Sequence, residues 1–500
     1  MKVHLMFPAE DFDPQANLPP NMADLVQDLE LDILFSAMAE DDDFLDKIIR
    51  PAVLSGGVNS RQTILWRQDI LRDCLANEKE IRALYAIAVM PVQIKKSMFL
   101  ISGSRHPSLM LSESRRVLEG LHGVLKALYD FAIQEKPKFK SAGMSDLCTM
   151  IIAQLAPDYL DEMKAHLAAL HFERGLLFSA KLGAGNTGKD FIARFWSPKK
   201  WSWLKEWLGD SSAHYRFMLD PHDESGAREL ADLRDEVLKD IATSSTQASA
   251  HIEKFFYNLR AELAFYVGCL NLKKSLAAKN CPLCIPEISE SADVLCFDDL
   301  RDPTLSLTLD NPAVGNQLQS VDTRLVFVMG ANQGGKSTFL RSLGLSRVML
   351  QAGLFVVATQ YKADLRDGIF THYRRHEDKD LNSGKFDEEL HRMSLIIEQL
   401  GKKPFLLFNE SFAATNEKEG AEVAGQILCA LTQFGAQIIF VTHMYALTER
   451  FEEQRDIKVG FLQAERAESG KRSFKISEGK PQDTSFGRDL YATIFGKTEA

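Results

Sequence analysis

The sequence predicts a multidomain protein in which a mostly α-helical region precedes an α/β domain. Its 500 residues are too many for one hydrophobic core, and a content of 45% hydrophobic and 26% charged residues is ordinary for a globular protein. Apolar residues recur at helical spacing in much of residues 1–290. From residue 291 onward, short apolar runs alternate with helical patterns and predict strands at residues 325–329, 355–357, 405–408 and 438–441. We therefore predict an N-terminal region that begins the helical core (1–110), the helical core itself (111–290) and an α/β domain (291–500).

Two short segments of the helical part have the pattern of β-strands. Residues 3–7 predict a short strand before a loop that contains several prolines. Within residues 176–218, apolar and polar residues alternate on both sides of a turn rich in Gly and Asn. This alternation predicts a β-hairpin that interrupts the helices.

The longest helical signal follows the hairpin. Apolar residues recur at steps of three, four or seven through Leu230, Leu233, Val237, Ile241, Ala248, Ile252, Phe255, Leu259, Leu263, Tyr266 and Leu270. One continuous helix over this stretch would be roughly 60 Å long. The Thr/Ser cluster at residues 243–246 leaves a second interpretation open, an ordinary bundle helix that is broken there.

Composition restricts the location and the partners. The N-terminus becomes acidic and contains prolines before a signal-peptide core can form, and no apolar run approaches membrane-spanning length. We therefore expect a cytoplasmic protein without a membrane partner. The net charge of −10 opposes general binding to nucleic acid, so any contact with DNA must come from a local basic patch.

The seven cysteines are scattered, which favours reduced thiols over a disulfide framework. Only Cys281 and Cys284 are spaced like zinc ligands. A zinc site would need two more ligands at similar spacing, so the interpretation as a linker with two incidental thiols is favoured.

The strongest motif lies in residues 325–340, LVFVMGANQGGKSTFL. Five apolar residues predict a buried strand, and the pattern G-x-x-x-x-G-K-S then opens a helix, which is typical of a phosphate-binding loop. Lys336 would reach the β- and γ-phosphates of ATP, and Ser337 would offer its hydroxyl to Mg²⁺. The alternative is a glycine-rich turn with a surface lysine. The residues predicted to hold ATP here are Gly330, Ala331, Asn332, Gln333, Gly334, Gly335, Lys336, Ser337 and Thr338.

Two further strands end in polar residues. Residues 405–408 are apolar and lead into Asn409 and Glu410, where a Walker B element places a carboxylate near Mg²⁺ and a base near the attacking water. Glu410 fits the role of orienting water, and Asn409 stands where an aspartate is usual, so weaker Mg²⁺ dependence or slower turnover is expected. His443 follows the strand at residues 438–441 and is a candidate γ-phosphate sensor, or else a structural histidine.

These motifs resemble those of the MutS family of DNA mismatch-repair ATPases. The family's G-P-N-M-G-G-K-S-T is similar to residues 330–338, and its D-E-I-G-R-G-T-S-T-x-D-G is similar to residues 409–420, in which Glu410, Thr415 and Gly420 match. The family's F-A-T-H-x-x-x-L resembles residues 440–447. Its S-G-x-S-x-F segment, which reaches the nucleotide of the partner subunit, is similar to residues 383–386, so Ser383 and Gly384 are candidate nucleotide contacts across a homodimer.

The resemblance implies a helical core, a lever and a clamp, followed by an ABC-like P-loop ATPase domain that dimerises. It also implies that ATP hydrolysis with Mg²⁺ is coupled to clamp motion on mismatched or otherwise structured DNA. Lys336, Glu410 and His443 would then be catalytic, and Ser337, Asn409 and Glu410 would hold the metal. The first hundred residues contain no Phe-x-Glu, so we expect a short relative without the mismatch-recognition domain.

A basic and aromatic patch near the hairpin is the candidate DNA contact. Lysine and arginine side chains that neutralise phosphates beside flat aromatic rings are typical of binding to the nucleic-acid backbone. The alternative is that the tryptophans pack a small satellite core and the cations are merely solvated. The cations are Lys181, Lys189, Arg194, Lys199, Lys200 and Lys205, and the aromatic residues are Trp196, Trp201, Trp203 and Trp207.

Two other functions remain open at this point. An SMC- or ABC-like ATPase would carry an LSGGQ-type signature between the two Walker elements, and none is found there. A nucleotide-binding scaffold that hydrolyses little and acts through a protein partner is favoured by Asn409. Turnover and DNA binding distinguish these alternatives.

Overall fold

The computed structural model describes the chain except at residues 17, 98–105, 173–174, 187, 195–217, 221, 332, 376–383, 454–456, 467–471 and 481–500. The α-helices of the described residues are α1 (Met22–Asp28), α2 (Leu31–Ala39), α3 (Asp43–Leu54), α4 (Arg61–Ala76), α5 (Glu78–Ser97), α6 (Pro107–Glu135), α7 (Ala142–Gln154), α8 (Pro157–Ala169), α9 (Glu224–Ala278), α10 (Pro303–Thr308), α11 (Lys336–Ala352), α12 (Lys385–Glu398), α13 (Glu417–Phe434) and α14 (Tyr445–Glu453). The β-strands are β1 (Leu177–Leu182), β2 (Gly188–Arg194), β3 (Glu287–Ile288), β4 (Leu295–Leu300), β5 (Asn316–Ser320), β6 (Leu325–Met329), β7 (Gln360–Ala363), β8 (Ile369–Tyr373), β9 (Phe405–Asn409), β10 (Gln437–Val441), β11 (Val459–Arg466) and β12 (Arg472–Glu478).

The chain forms two units. The helical unit contains Met1–Val3, Lys79–Lys140 and Met144–Arg260, and the α/β unit contains His4–Glu78, Ser141–Gly143 and Ala261–Ala500. The domain boundaries at residues 110 and 290 stay predictions.

The helical unit is organised by the apolar stripe of α6. Residues of this stripe recur at steps of three or four and are buried, and they include Leu111, Val117, Leu121, Leu125 and Leu128. Leu111 packs in one cluster with Leu238 and Ala242 of α9. The exposed ion pair between Lys95 and Glu253, 2.6 Å long, adds a polar contact between α5 and α9.

The hairpin indicated by the alternating pattern is present in this unit. Strands β1 and β2 pair antiparallel, and the rings of Phe178 and Phe191 meet edge to face with centroids 5.7 Å apart. The turn contains Gly185 with a φ of +70°, a conformation that glycine adopts without strain. Residues 195–217, which complete the predicted hairpin region, lie outside the described residues.

Helix α9 is continuous over 55 residues, about 80 Å at 1.5 Å per residue. The interpretation of a break at residues 243–246 is therefore wrong. The hydroxyls of Thr243 and Thr246 donate to the carbonyl oxygens of Lys239 and Ala242, each at 2.8 Å, so the helix accommodates these residues. Among the described helices, none is both long enough and apolar enough to cross a membrane.

A six-stranded sheet forms the centre of the α/β unit. Its strand order is β12-β11-β6-β10-β9-β8, and all neighbours are parallel except β11 and β12. The central strand β6 is buried at all five residues, as the apolar run in the sequence predicts. The ring of Phe440 lies between the rings of Phe327 and Phe408, at centroid distances of 5.9 and 5.3 Å, and this cluster anchors the three strands that end at the site.

A second sheet and the helix after β6 complete the unit. The sheet has four short strands in the order β3-β7-β4-β5. Helix α11 is buried at 14 of its 17 residues, including Arg347. The Arg347 guanidinium donates to Gln437 Oε1 at 3.0 Å and lies 4.8 Å from the centre of the Phe405 ring. These contacts fix α11 against the ends of two strands of the central sheet.

The predicted strand at residues 3–7 is wrong, because a buried side chain takes the hydrogen bonds that a strand neighbour would take. The Glu262 carboxylate accepts the N–H groups of Leu5 at 2.5 Å, Met6 at 2.8 Å and Phe12 at 3.0 Å. The Tyr266 hydroxyl donates to the Leu5 carbonyl at 2.6 Å. The N-terminal segment of the α/β unit is thus held by α9 residues more than 250 positions away in the sequence.

The strand predicted at residues 355–357 is also wrong. Only one isolated bridge forms there, between Val356 and Cys284. Helix α11 ends at Ala352, and β7 begins only at residue 360, so this apolar run fills the core as an irregular segment.

Glu262 generates a stability prediction. Glu262→Ala should lower the free energy of unfolding by about 3–5 kcal/mol, because three buried N–H groups lose their acceptor. Glu262→Gln should cost less, because its amide oxygen still accepts. Urea unfolding of the full chain measures both.

The pH dependence follows from the pKa of Glu262, which burial raises from 4.5 to about 7 against the effect of the three N–H donors. A raised pKa in the folded state contributes stability that is fully present below the unfolded pKa of 4.5 and is lost as the pH rises through about 7. The stability advantage of the wild type over Glu262→Gln should therefore be about 2–3 kcal/mol larger at pH 5 than at pH 8. An advantage that is equal at both pH values would contradict this account.

Candidate functional site

The glycine loop (residues 330–338) joins β6 to α11 in a conformation that requires glycine. Gly330 has a φ of +115° and Gly335 a φ of +91°, both in the left-handed region. A Cβ atom on Gly334 would lie 2.9 Å from the Ala331 carbonyl oxygen and from Ala464 Cβ, closer than such contacts allow. The loop is therefore packed too closely against Ala331 and Ala464 to accept a side chain at Gly334. It leads directly into the N-terminus of α11, and a glycine-rich loop at a helix N-terminus is suited to bind an anion.

Lys336 is the first residue of α11 and is buried, with 5% of its surface exposed. Its Nζ donates to the carbonyl oxygens of Gly330 at 2.9 Å and Ala331 at 3.0 Å. Among the described residues, no carboxylate lies within ion-pair distance of it. Burial lowers the pKa of Lys336 to about 8, and the charge of Glu410 opposes this shift. A buried ammonium whose direct partners are neutral is suited to pair with an anion.

The carboxyl ends of β9 and β10 bring the other predicted residues to this loop. The strand order places β10 and β9 beside β6, so the three parallel strands end at one edge of the sheet. Ser337 Oγ donates to Asn409 Oδ1 at 3.2 Å, which joins the loop to the end of β9. Glu410 has a φ of +55°, and its N–H donates to the Val441 carbonyl at 2.9 Å.

Glu410 and His443 form a pair at this edge. His443 Nε2 lies 3.3 Å from Glu410 Oε1. The hydrogen bond from His443 lowers the pKa of Glu410, and burial acts in the opposite direction. The charges of Lys336 and Arg374 lower this pKa further. Glu410 is therefore ionised at neutral pH and can accept a hydrogen bond from water.

A cavity of about 420 Å³ lies beside the loop. Its lining includes residues of the loop and of the sheet edge, namely Gln333, Gly335, Lys336, Ser337, Thr338 and Glu410. Its apolar wall consists of Leu300, Leu305, Leu309, Pro312, Ala313, Val314 and Phe474, and the polar residues Asp302 and Asn316 also line the cavity. A volume of roughly 300–1,000 Å³ with a few converging polar groups is usual for a small-molecule site.

The sequence patterns missed the apolar wall of this cavity. Its residues come from the segment around α10 and from β12, neither of which belongs to a nucleotide-binding motif. The signal that could have found Phe474 is the alternation of residues 472–478, which predicts a strand at the sheet edge.

The residues predicted to hold Mg²⁺ offer oxygen atoms of the kind this ion prefers. The hydroxyl of Ser337, the amide oxygen of Asn409 and the carboxylate of Glu410 all lie at the edge of the sheet beside the loop. This donor set fits a hard cation that keeps several waters. No group of three or more His, Cys, Asp or Glu side chains suited to a metal occurs in the part of the chain that the structure describes.

The remaining predicted residues are placed as follows. Gly384 precedes α12 and does not line the cavity, and Ala331 accepts a hydrogen bond from Lys336. Thr338 lines the cavity. Asn332, Ser383, Lys199 and Lys200 lie outside the described residues, as do Lys205 and the four tryptophans of the basic patch.

The described cations of the hairpin lie on its exposed surface. Lys181 pairs with Asp190 at 3.1 Å, and both side chains are more than half exposed. Lys189 stands opposite Lys181 in the register of the two strands. Arg194 Nε donates to Ser179 Oγ at 3.1 Å. The hairpin thus presents three cations to solvent, one of them partly neutralised.

Comparison with known proteins identifies relatives of both parts of the chain. Residues 59–279 match the family model of the MutS2 N-terminal domain, and residues 326–494 match the model of MutS domain V. A DNA mismatch repair protein MutS from Streptococcus suis is 26% identical over 314 residues, which cover 58% of this chain and 36% of that protein. An Endonuclease MutS2 from Lacticaseibacillus casei is 28% identical over 240 residues, 44% of this chain and 30% of that protein. A DNA mismatch repair protein MutS from Lactobacillus delbrueckii subsp. bulgaricus is 35% identical over 174 residues, 33% of this chain and 20% of that protein.

The fold and the site define a protein that combines helices with an α/β unit of the MutS domain V type. The chain belongs to the MutS family, as its motifs indicate. It spans between 20% and 36% of the length of these three curated relatives.

Proposed function

We propose that the α/β unit binds ATP with Mg²⁺ and hydrolyses it, and that the bound nucleotide controls a clamp on mismatched or otherwise structured DNA. The observation that carries the proposal is the buried ammonium of Lys336, which has only carbonyl partners at the opening of a glycine loop. Burying a charge whose direct partners are all neutral is costly, and the charge of Glu410 offsets this cost only in part. A triphosphate would supply a countercharge in direct contact with Lys336.

The cavity would hold the rest of the nucleotide. The phosphates would meet the loop amides and the N-terminus of α11 beside Lys336, Ser337 and Thr338, which line the cavity. The apolar wall around Leu309 and Phe474 suits the base, since a purine binds through its flat faces. ATP would thus lie along the cavity with its γ-phosphate towards Glu410.

The hydrolytic roles follow from the carboxyl edge of the sheet. Glu410, ionised and held by His443, would orient the attacking water towards the γ-phosphorus. Ser337 and Asn409 would hold the metal, directly or through its waters. Mg²⁺, when bound, supplies positive charge to the β- and γ-phosphates.

DNA binding is proposed for the helical unit. Its hairpin presents Lys181, Lys189 and Arg194, and contacts of such residues with phosphates carry no base sequence information. Two of the relatives are named as DNA mismatch repair proteins. The clamp would close when ATP binds. The α/β unit would form a homodimer, and residues 383 and 384 would approach the nucleotide of the partner subunit.

A second candidate function is a nucleotide-binding scaffold that hydrolyses little. Asn409 favours it, because an amide brings no negative charge to the metal. The chain would then bind ATP and act through a protein partner.

Restoring the carboxylate tests the hydrolysis proposal. Asn409→Asp should raise ATP turnover and lower the Mg²⁺ concentration for half-maximal rate about 10-fold or more, because the aspartate holds the metal more strongly. Phosphate release during a Mg²⁺ titration measures both.

Asn416→Asp is the matched control, since Asn416 caps α13 through its oxygen and an aspartate can keep that hydrogen bond. If neither the wild type nor Asn409→Asp hydrolyses ATP while both still bind it, the hydrolysis proposal is wrong and the scaffold function is favoured.

Removing the hairpin cations tests the DNA proposal. A variant with alanine at Lys181, Lys189 and Arg194 should bind duplex and branched DNA more weakly. The slope of log affinity against log salt should become shallower by about 0.9 for each DNA phosphate that the variant no longer neutralises. Fluorescence anisotropy over several salt concentrations measures this slope.

The control removes the same net charge from exposed sites elsewhere in the helical unit, with alanine at Lys126, Lys164 and Lys239. Equally weakened binding in the two triple variants would show that net charge, and not the hairpin, determines DNA affinity.

A further inference from the structure

Arg374 lies beside the proposed water-orienting carboxylate, at the carboxyl end of β8. Strands β8 and β9 are parallel neighbours in which Tyr373 stands opposite Asn409. The Arg374 N–H donates to the Asn409 carbonyl oxygen at 3.0 Å, which extends this ladder by one step. The residue that follows Asn409 is Glu410. Backbone geometry therefore fixes Arg374 at the same edge of the sheet as the candidate site.

The guanidinium of Arg374 is available for a ligand. The residue is exposed, and its side chain makes no hydrogen bond or ion pair with the described part of the chain. The neighbouring arginines differ in this respect. Arg375 pairs with Asp24 and Asp28 of α1, and Arg392 donates to the Tyr373 carbonyl at 2.9 Å. Arg374 can therefore turn towards a ligand without breaking a hydrogen bond to a described residue.

The charge of Arg374 reaches the site. The pKa of Glu410 is lowered mainly by the hydrogen bond from His443 and also by the charge of Lys336. The charge of Arg374 lowers it further. The same charge lowers the pKa of Glu389 on α12, which burial raises. Both carboxylates thus lie within the electrostatic range of this guanidinium.

The charge balance of the site gives this cation a role. Where the usual Walker B aspartate would help to hold a divalent ion, Asn409 offers a neutral amide. The phosphates would then rely more on cations that the protein itself supplies. A guanidinium is suited to this, because its planar fork of N–H donors matches phosphate oxygens.

We propose that Arg374 is a further catalytic residue whose guanidinium contacts the γ-phosphate oxygens and stabilises the charge on them in the transition state. This inference rests on the proposed hydrolysis of ATP. A bond forms between a water oxygen and the γ-phosphorus, and the bond from the γ-phosphorus to the bridging oxygen breaks, leaving its electron pair on ADP. The proton of the water passes to Glu410 or to a phosphate oxygen, and the products are ADP and inorganic phosphate.

The test separates binding of the ground state from binding of the transition state. Arg374→Ala should lower kcat about 100-fold or more and leave the affinity for ADP within about twofold of the wild type. Its affinity for ADP with fluoroaluminate, which mimics the phosphoryl group in transit, should fall by a factor similar to the decrease in kcat. Calorimetric titration of the full chain measures both affinities, independently of turnover.

Two further variants complete the design. Arg374→Lys should recover only part of the decrease in kcat, because an ammonium cannot form the planar fork. Arg72→Ala removes another exposed arginine of the α/β unit, whose partner Asp69 is also exposed, and should change neither quantity.

The failures are distinguishable. Absence of turnover in the wild type would overturn the proposed function and this inference together. Wild-type turnover that Arg374→Ala retains within about twofold would overturn this inference alone. An equal decrease in affinity for ADP and for ADP with fluoroaluminate would also overturn it, because Arg374 would then act on ground-state binding.

Discussion

The buried ammonium of Lys336 is the interaction on which the site depends. It can lie there only because the glycine loop turns through left-handed conformations at Gly330 and Gly335 and aims two carbonyl oxygens at it. The loop in turn is held between β6, which is fully buried, and α11, which is buried at most of its residues. The core thus fixes the position of one charge that has no carboxylate within ion-pair distance among the described residues, although the charge of Glu410 acts on it from further away.

The other residues of the site contribute orientation and charge. Glu410 stays ionised because His443 donates to it, so it is suited to orient water rather than to hold a proton firmly. The neutral amide of Asn409 would bring less negative charge to a bound Mg²⁺ than an aspartate would. The exposed guanidinium of Arg374, at the end of the neighbouring strand, would add positive charge for the phosphates. In the proposed function, the protein's cations would therefore replace part of the contribution of Mg²⁺.

The sequence predicted those elements whose pattern is local. The strands Leu325–Met329, Phe405–Asn409 and Gln437–Val441 are short apolar runs in a buried parallel sheet, and such runs are recognisable without knowledge of their neighbours. The helix after the loop follows from the motif itself. The four-stranded sheet escaped prediction because its strands are short and two of them contain many polar residues.

One error of the sequence analysis comes from a long-range contact, and another comes from weak local propensities. Residues 3–7 are a mostly apolar run that predicts a strand, but the Glu262 carboxylate, more than 250 residues away, accepts the N–H groups of Leu5 and Met6. No window of the sequence contains that information. The case of Thr243 and Thr246 is local: their hydroxyls donate to carbonyl oxygens one turn earlier within an unbroken helix, and propensity alone does not decide between this arrangement and a break. The sequence analysis did not identify Arg374 because this residue belongs to no motif. Its position beside Glu410 follows from the register of strands β8 and β9.

The most direct test is a calorimetric titration with a nonhydrolysable ATP analogue and Mg²⁺, on the wild type and on Lys336→Ala, at pH 7 and pH 9.5. The account predicts that the wild type binds at pH 7 and binds more weakly at pH 9.5, by up to about tenfold per pH unit above the Lys336 pKa of about 8, because the amine is then neutral before the phosphates arrive. Lys336→Ala should bind at least about 100-fold more weakly at pH 7 and should lose this pH dependence. Equal affinity of the two proteins at pH 7 would contradict the claim that a triphosphate is the missing partner of this lysine.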